Sequence, residues 1–362
     1  MKKKKVVGII GTNGLPGKYG GWDQLVIHLT KNLQQQFDFI VYTSYTNFNP
    51  DKTIVNNAKI QKINFKANGM QSIPYDIMSM FHAVKHCDVL FLCGTSGCVS
   101  LPLMKLFGKK IILNPDGQEW MRDKWSKPVQ WFLKTSEKMG VNHSDTVVAD
   151  NRVIKNYLRS EYQKDSVEIE YGGDHVLKVP MTAETEKKYD IKAGDYAFKV
   201  CRIVPENNID MILEAFKEVP EKKLVMVGNW EFSEYGKNLL EQYTSYPNLK
   251  LLLPIYDQHI LDELRSNCGI YVHGHSVGGT NPSLVEAMNL GLCMLSFDVS
   301  YNRETTENKA MYFKSKEELK DLLINHTDIN QRNTCAQNMQ EIADRRYKWE
   351  TITDKYAKVF SK

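Results

Sequence analysis

No stretch of this 362-residue chain reaches the roughly 18–20 uninterrupted apolar residues of a membrane span. The nearest approach, residues 89–107, is broken by GTSGC at 94–98. No C-x-x-C pair occurs among the seven cysteines, Cys87, Cys93, Cys98, Cys201, Cys268, Cys293 and Cys335. Their number is odd and most sit in apolar stretches. They read as small buried hydrophobes of a reducing cytoplasm, not as disulfides or zinc ligands. No D-x-D carboxylate pair closes a strand, so no metal is expected in the chemistry. Charge of one sign is also scarce: 47 lysines and arginines face 43 acids, for a net charge of +4. That balance does not suggest a nucleic-acid partner. The basic start MKKKKVVGIIG lacks a secretory core, because Val6–Ile10 is shorter than the roughly 7–15 apolar residues such a core needs. The expectation is a cytoplasmic protein, soluble or resting on the inner face of the cell membrane.

Hydrophobic residues make up 42% and charged residues 25%, as in ordinary globular proteins. The length suits two domains. Apolar runs such as Val6–Ile10, Val89–Cys93, Lys110–Asn114 and Lys223–Val227 read as strands buried on both sheet faces. Between them lie segments of helical period. Alternation of this kind predicts an α/β fold with parallel sheets, in which ligands meet the loops after strand carboxyl ends. Residues 177–195, poor in apolar side chains, read as the junction of two Rossmann-like halves.

The segment Tyr271–Met288, YVHGHSVGGTNPSLVEAM, carries the sharpest signal. Gly278 and Gly279 let backbone amides approach an anion. Asn281 is a favoured helix cap and Pro282 a favoured first helical residue, so a helix starting there presents free amides and its positive dipole end to a phosphate. Glu286, one turn on, could accept hydrogen bonds from a ribose diol. Taken alone, the same residues also describe a loop capping a core helix. Arg202, placed after a strand, can reach a phosphate bidentately, and Gly228-Asn229 ends the next strand.

The order CRIVPENN-IDMILEAF, VMVGN and HGHSVGGTNPSLVEAM resembles the retaining GT-B glycosyltransferases of family 4. GTNGLPGKYGGWDQLV and PDGQEWMRDKWS resemble a narrower, rhamnosyltransferase-like branch of bacterial polysaccharide assembly. The resemblance implies a GT-B architecture of two Rossmann-like domains. An acceptor domain would span 1–178 with a returning helix at about 346–362, and a donor domain 179–345. It implies that Arg202 binds the donor diphosphate, Glu286 the nucleotide ribose, and Asp116 the acceptor or transferred sugar. The loop from Gly11 to Gly21 would lie over the donor phosphates and the acceptor.

The implied donor contacts are Gly14, Gly17, Gly20, Gly21, Arg202, Asn229, His275, Gly278, Gly279, Thr280, Asn281 and Glu286. Acceptor contacts would come from Tyr19, Glu119, Trp120 and Lys124, and catalysis from Arg202, Asp116 and His273. The wider family often carries a glutamate where this chain has Gly278, and a lysine where it has Asn207 and Asn208. The co-substrate would be dTDP-rhamnose or a UDP-sugar, with no bound cofactor, and the acceptor a saccharide or lipid-linked saccharide.

Blander readings stand beside these. Asp116 could belong to a simple turn at Asp-Gly, His273 and His275 could be packed strand residues, and Asp150, His143 and His175 could be structural. The segment Trp120–Lys138 is either a basic-aromatic face for a membrane or a core helix with solvated lysines. Three other functions compete: a GT-B 2-epimerase, a nicotinamide oxidoreductase and a non-enzymatic sugar-nucleotide binder. Gly8, Gly11 and Gly14 are spaced by threes, unlike the G-x-G-x-x-G of dinucleotide folds.

Overall fold

The computed structural model describes residues 3–17, 20–122 and 125–362. The chain divides into two compact units, one running to Tyr171 and including Trp349–Lys362, the other Gly172–Lys348. The division thus falls at Tyr171, a little before 178.

The first unit runs β1 (Lys5–Ile10), α1 (Gly21–Leu33), β2 (Phe37–Ser44), β3 (Ile54–Val55), β4 (Ala58–Ile63), α2 (Ser72–His86) and β5 (Val89–Cys93). It continues with α3 (Leu101–Lys105), β6 (Lys110–Asn114), α4 (Lys127–His143), β7 (Thr146–Ala149), α5 (Arg152–Tyr162) and β8 (Val167–Glu168). The second unit holds α6 (Ala183–Tyr189), β9 (Tyr196–Val200), α7 (Ile209–Lys217), β10 (Lys223–Val227), α8 (Glu234–Tyr243), β11 (Leu249–Leu252) and α9 (Gln258–Ser266). There follow β12 (Ile270–His273), α10 (Pro282–Asn289), β13 (Met294–Phe297), α11 (Ser300–Thr305), β14 (Met311–Phe313), α12 (Lys316–Asn325) and α13 (Ile329–Arg346). A last helix, α14 (Trp349–Ser361), returns to the first unit.

The first sheet has the order β3-β4-β2-β1-β5-β6-β7-β8, the second β11-β10-β9-β12-β13-β14. Neighbours are parallel except the short β3–β4 pair. Each sheet starts in its middle, β1 between β2 and β5, β9 between β10 and β12. At such a switch point the outgoing loops diverge and leave a crevice at the strand carboxyl ends.

Both faces of the first sheet are covered, which is why β5 is buried at every residue. On one face Phe360 of α14 meets the rings of Phe37, Phe39 and Phe91 at 5.7, 6.4 and 5.6 Å. On the other, α2 closes on Gly8, whose missing side chain would collide with Cys87 Sγ at 2.8 Å. Gly140 of α4 lies against Leu113 on that same face. In the second unit Ala197, Leu224, Met226 and Val272 build one core with α7 and α12.

One expectation needs correction. The stretch read as a junction contains α6, whose cap Thr182 accepts a hydrogen bond from the Thr185 amide. Only Thr185 of this helix is buried, so no apolar period announced it. No helix among the described residues is long and apolar enough to cross a membrane.

Candidate functional site

The loop after β12 folds as a phosphate-type helix entry would. Asn281 accepts a hydrogen bond from the Ser283 amide and Pro282 opens α10. Gly278 has φ +106°, a left-handed conformation that disfavours a side chain, although the nearest atom to a Cβ there is 3.8 Å away. The loop's backbone therefore disfavours a glutamate at 278, even with room for one. Gly279 and Thr280 complete the turn, with Thr280 buried.

This loop is tied to the one after β9. Asn207 donates to the Arg202 carbonyl at 2.7 Å, and its Oδ1 meets His275 Nδ1 at 2.9 Å. Asn208, at φ 49°, donates to the Gly274 carbonyl at 2.8 Å. A Cβ on Gly274 would strike the Asn207 carbonyl at 2.3 Å. The two asparagines thus join the loops, and asparagine tolerates the left-handed conformation of 208. Arg202 itself is exposed. Its guanidinium makes no ion pair among the described residues. Asn229, after β10, is likewise exposed.

Glu286 does not stand free. Arg265, 1% exposed, donates from Nη1 to Glu286 Oε2 and from Nη2 to Asp262 Oδ1 at 2.8 Å. His175 Nε2 lies 3.3 Å from the other Glu286 oxygen. Burial alone would raise the Glu286 carboxyl, but the Arg265 charge, with His175, holds it below its ordinary value. Each carboxylate oxygen carries about two lone-pair sites, so a ribose hydroxyl can still be accepted beside these partners. Reading the sequence missed Arg265 and Asp262, and gave His175 a structural role.

A second missed cation is Lys199 on β9, 2% exposed and without an ion pair among the described residues. Burial pushes its ammonium down from its ordinary value. His273 is buried too; its Nε2 has no hydrogen-bond partner, and burial followed by the Lys199 charge pushes its imidazole well down. It is therefore a neutral imidazole, closed off from solvent. A cavity of about 760 Å³ opens elsewhere in this unit, at the amino-terminal ends of β9 and β10 near Lys187, Lys222 and Arg332. It lies away from the strand carboxyl ends where every feature above converges.

In the first unit, Gly14 (φ +87°) abuts Thr43, where a Cβ would be 2.0 Å from Oγ1, and Gly17 abuts Asp23. Those two glycines serve close approach of chain to chain. Gly20 (φ +136°) faces open space, Gly21 begins α1, and no side chain caps that helix. Tyr19 and Lys124 lie outside the described residues. Asp116 is half-buried at φ 63°, its amide donating to Asn114 Oδ1 at 3.1 Å. Asn114 thus supplies a side chain that holds the turn.

Glu119 accepts from Trp125 Nε1 at 3.0 Å and pairs with Arg122 at 2.8 Å, so both its oxygens are engaged. The Trp120 ring lies under Lys134, at 4.6 Å. Asp150 is buried at the end of β7, and His143 bonds the Met139 carbonyl at 2.9 Å.

Residues 4–174 match the family described as a domain of unknown function (DUF1972), and residues 182–341 match glycosyl transferases group 1. No curated protein matches the chain. Among solved structures, the sucrose-phosphate synthase of Thermosynechococcus elongatus is similar with a TM-score of 0.82 and 15% identity, over 99% of this chain and 98% of that one. HepE of Anabaena, solved with UDP and glucose, gives 0.77 and 14%, over 99% and 100%. A glycosyltransferase from Rickettsia africae gives 0.72 and 15%, over 99% and 98%. The chain has the GT-B fold, and its second unit carries a glycosyl transferases group 1 domain, which together support a GT-B glycosyltransferase.

Proposed function

We propose that the protein transfers a sugar, with retention at the anomeric carbon, from a nucleoside-diphosphate donor to a saccharide or lipid-linked saccharide during cell-surface polysaccharide assembly. The observation that carries this reading is the β9/β12 crevice. Arg202 stands exposed on one loop, and the glycine turn leads into the Asn281-capped helix on the other. As the bond from the anomeric carbon to the diphosphate breaks, negative charge grows on the leaving oxygen. Arg202 and the first-turn amides of α10 stabilise it. The acceptor oxygen bonds the anomeric carbon on the face the diphosphate leaves, and its proton passes to the departing oxygen. Glu286, held by Arg265, takes the ribose, and Asp116 is assigned to the acceptor.

The rhamnosyl-branch resemblance supports dTDP-rhamnose as donor, and HepE, solved with UDP, supports a UDP-sugar. A 2-epimerase would share the fold, but the group 1 transferase domain favours transfer. A thermal-shift panel of sugar nucleotides identifies the donor, because a ligand stabilises the folded state by mass action. Arg202→Ala, at an exposed position, should fold normally and weaken donor binding by about tenfold to a hundredfold, as loss of a charge-assisted bond implies. Unchanged donor binding and transfer in that variant would remove Arg202 from the site. Product analysis separates a glycosylated acceptor from an epimerised nucleotide.

A further inference from the structure

The face of the first sheet opposite α14 is covered by α2, α3 and α4, with α3 packed between the other two. Helices covering a sheet should turn apolar residues inward. These also turn six outward: Met78 and Phe81 of α2, Leu103 of α3 with Leu106 and Phe107 just after it, and Trp131 of α4. Leu106 is 80% exposed and Trp131 71%.

The free charges on the outer side of these three helices are positive, and Asp88, exposed just after α2, accepts from the Val6 amide at 2.8 Å. The acids of the three helices are Asp76 and Glu137, and both are buried. Glu137 is consumed inside, accepting from Tyr157 at 2.6 Å and Tyr162 at 2.7 Å. Two acids at the margin are paired with lysines, Asp145 with Lys105 at 2.5 Å and Glu161 with Lys134 at 3.0 Å. Lys85, Lys127 and Lys138 are exposed and form no ion pair among the described residues. On α4, Lys127, Trp131 and Lys138 share one stripe, at helical spacings of four and seven.

We propose that this α2–α3–α4 face docks on a lipid bilayer bearing anionic headgroups. Charge complementarity selects the occupant. Protein-interface cores are depleted of lysine, whereas faces that lie in a bilayer surface combine lysines with Trp, Phe and Leu. Here the lysines alternate with the apolar side chains, so the ammonium groups can meet headgroups while their stems and the apolar side chains enter the acyl boundary. The sequence pointed to Trp120–Lys138. The structure turns Trp120 and Trp125 inward on Lys134 and Glu119 and leaves Trp131 for the surface, joined by two helices that the sequence did not single out.

The test is co-sedimentation of the full chain with phosphatidylcholine vesicles and with phosphatidylcholine–phosphatidylglycerol vesicles, at low and high salt. The full chain should sediment with the mixed vesicles, far less with the neutral ones, and less as salt rises. Lys85→Gln with Lys138→Gln should lower partition about tenfold or more. Leu106→Glu with Trp131→Glu should lower it further while sugar-nucleotide thermal shifts persist. Equal sedimentation with both vesicle types, or undiminished binding by either double variant, overturns the proposal. So does absence of vesicle binding together with a concentration-dependent dimer that Leu106→Glu with Trp131→Glu dissolves, which would make the face a protein interface.

Discussion

Arg265→Leu should destabilise the second unit by about 3–5 kcal/mol, the usual cost of leaving buried carboxylates without their cation. Asp262 and Glu286 both rely on that guanidinium, and Asp262 is as buried as Arg265 itself. For a domain of this size the loss corresponds to roughly 10 °C in thermal midpoint. The triple change Arg265→Leu, Asp262→Leu, Glu286→Leu should recover most of it, since an apolar replacement of a whole buried cluster is often neutral. Urea and thermal unfolding decide the matter. A single variant within about 0.5 kcal/mol of the native chain would show that the cluster is not an energetic unit. The pH dependence follows in sign. Glu286 is held below its ordinary value, so its contribution is complete above the unfolded carboxyl range of about 4 and fades as pH falls through the lower folded value.

The second large effect concerns the first unit and has the opposite sign. Asp76 on α2 is 6% exposed, beside a small cavity lined by Gly11, Gly94 and Gly97 at the β1/β5 switch point. Its Oδ1 has no hydrogen-bond partner. Burial pushes the carboxyl up to about 8, against only one opposing bond from the Gly97 amide. The folded chain thus holds a proton that the unfolded chain releases near pH 4. Stability should therefore fall as pH rises from about 4 to about 8, by an amount on the order of 5 kcal/mol, and level off above that. Asp76→Asn keeps the shape without the titration. Its advantage over the native chain should be small at pH 5 and large at pH 9, read as urea midpoints. A difference that does not change with pH would refute the assignment of a buried proton to Asp76.

How much of this was legible in the sequence depends on the range of the interaction. Val89–Cys93, Lys110–Asn114 and Lys223–Val227 are seen in the sequence at their observed bounds. Each is a short apolar run between turn residues and needs no partner to be recognised. The cap at Asn281 and the start at Pro282 are equally local. The Glu286 cluster is not, because its members come from before α6, from α9 and from α10, and spacing along the chain says nothing about their meeting. Asn207 and Asn208 show the same limit. As residue types they signalled a missing cation, and only the left-handed turn at 208 and the bonds to Arg202, His275 and Gly274 explain them. Lys199 escaped notice because a charged residue inside a strand run reads as an edge or an interruption, yet β9 is central.

The return of α14 bears on how the chain is made. A ribosome delivers β1 to β8 first, then the whole second unit, and only then the residues that seal the first sheet. Until Tyr356 and Phe360 emerge, the rings of Phe37, Phe39 and Phe91 lack their edge contacts from α14 on that face. The second unit, contiguous in sequence, can finish during synthesis, whereas the first must wait, half-built, for a helix about 180 residues downstream of its last strand. Any nascent chain stalled before Trp349 would present an open aromatic face, and the unit made first would be the last to close.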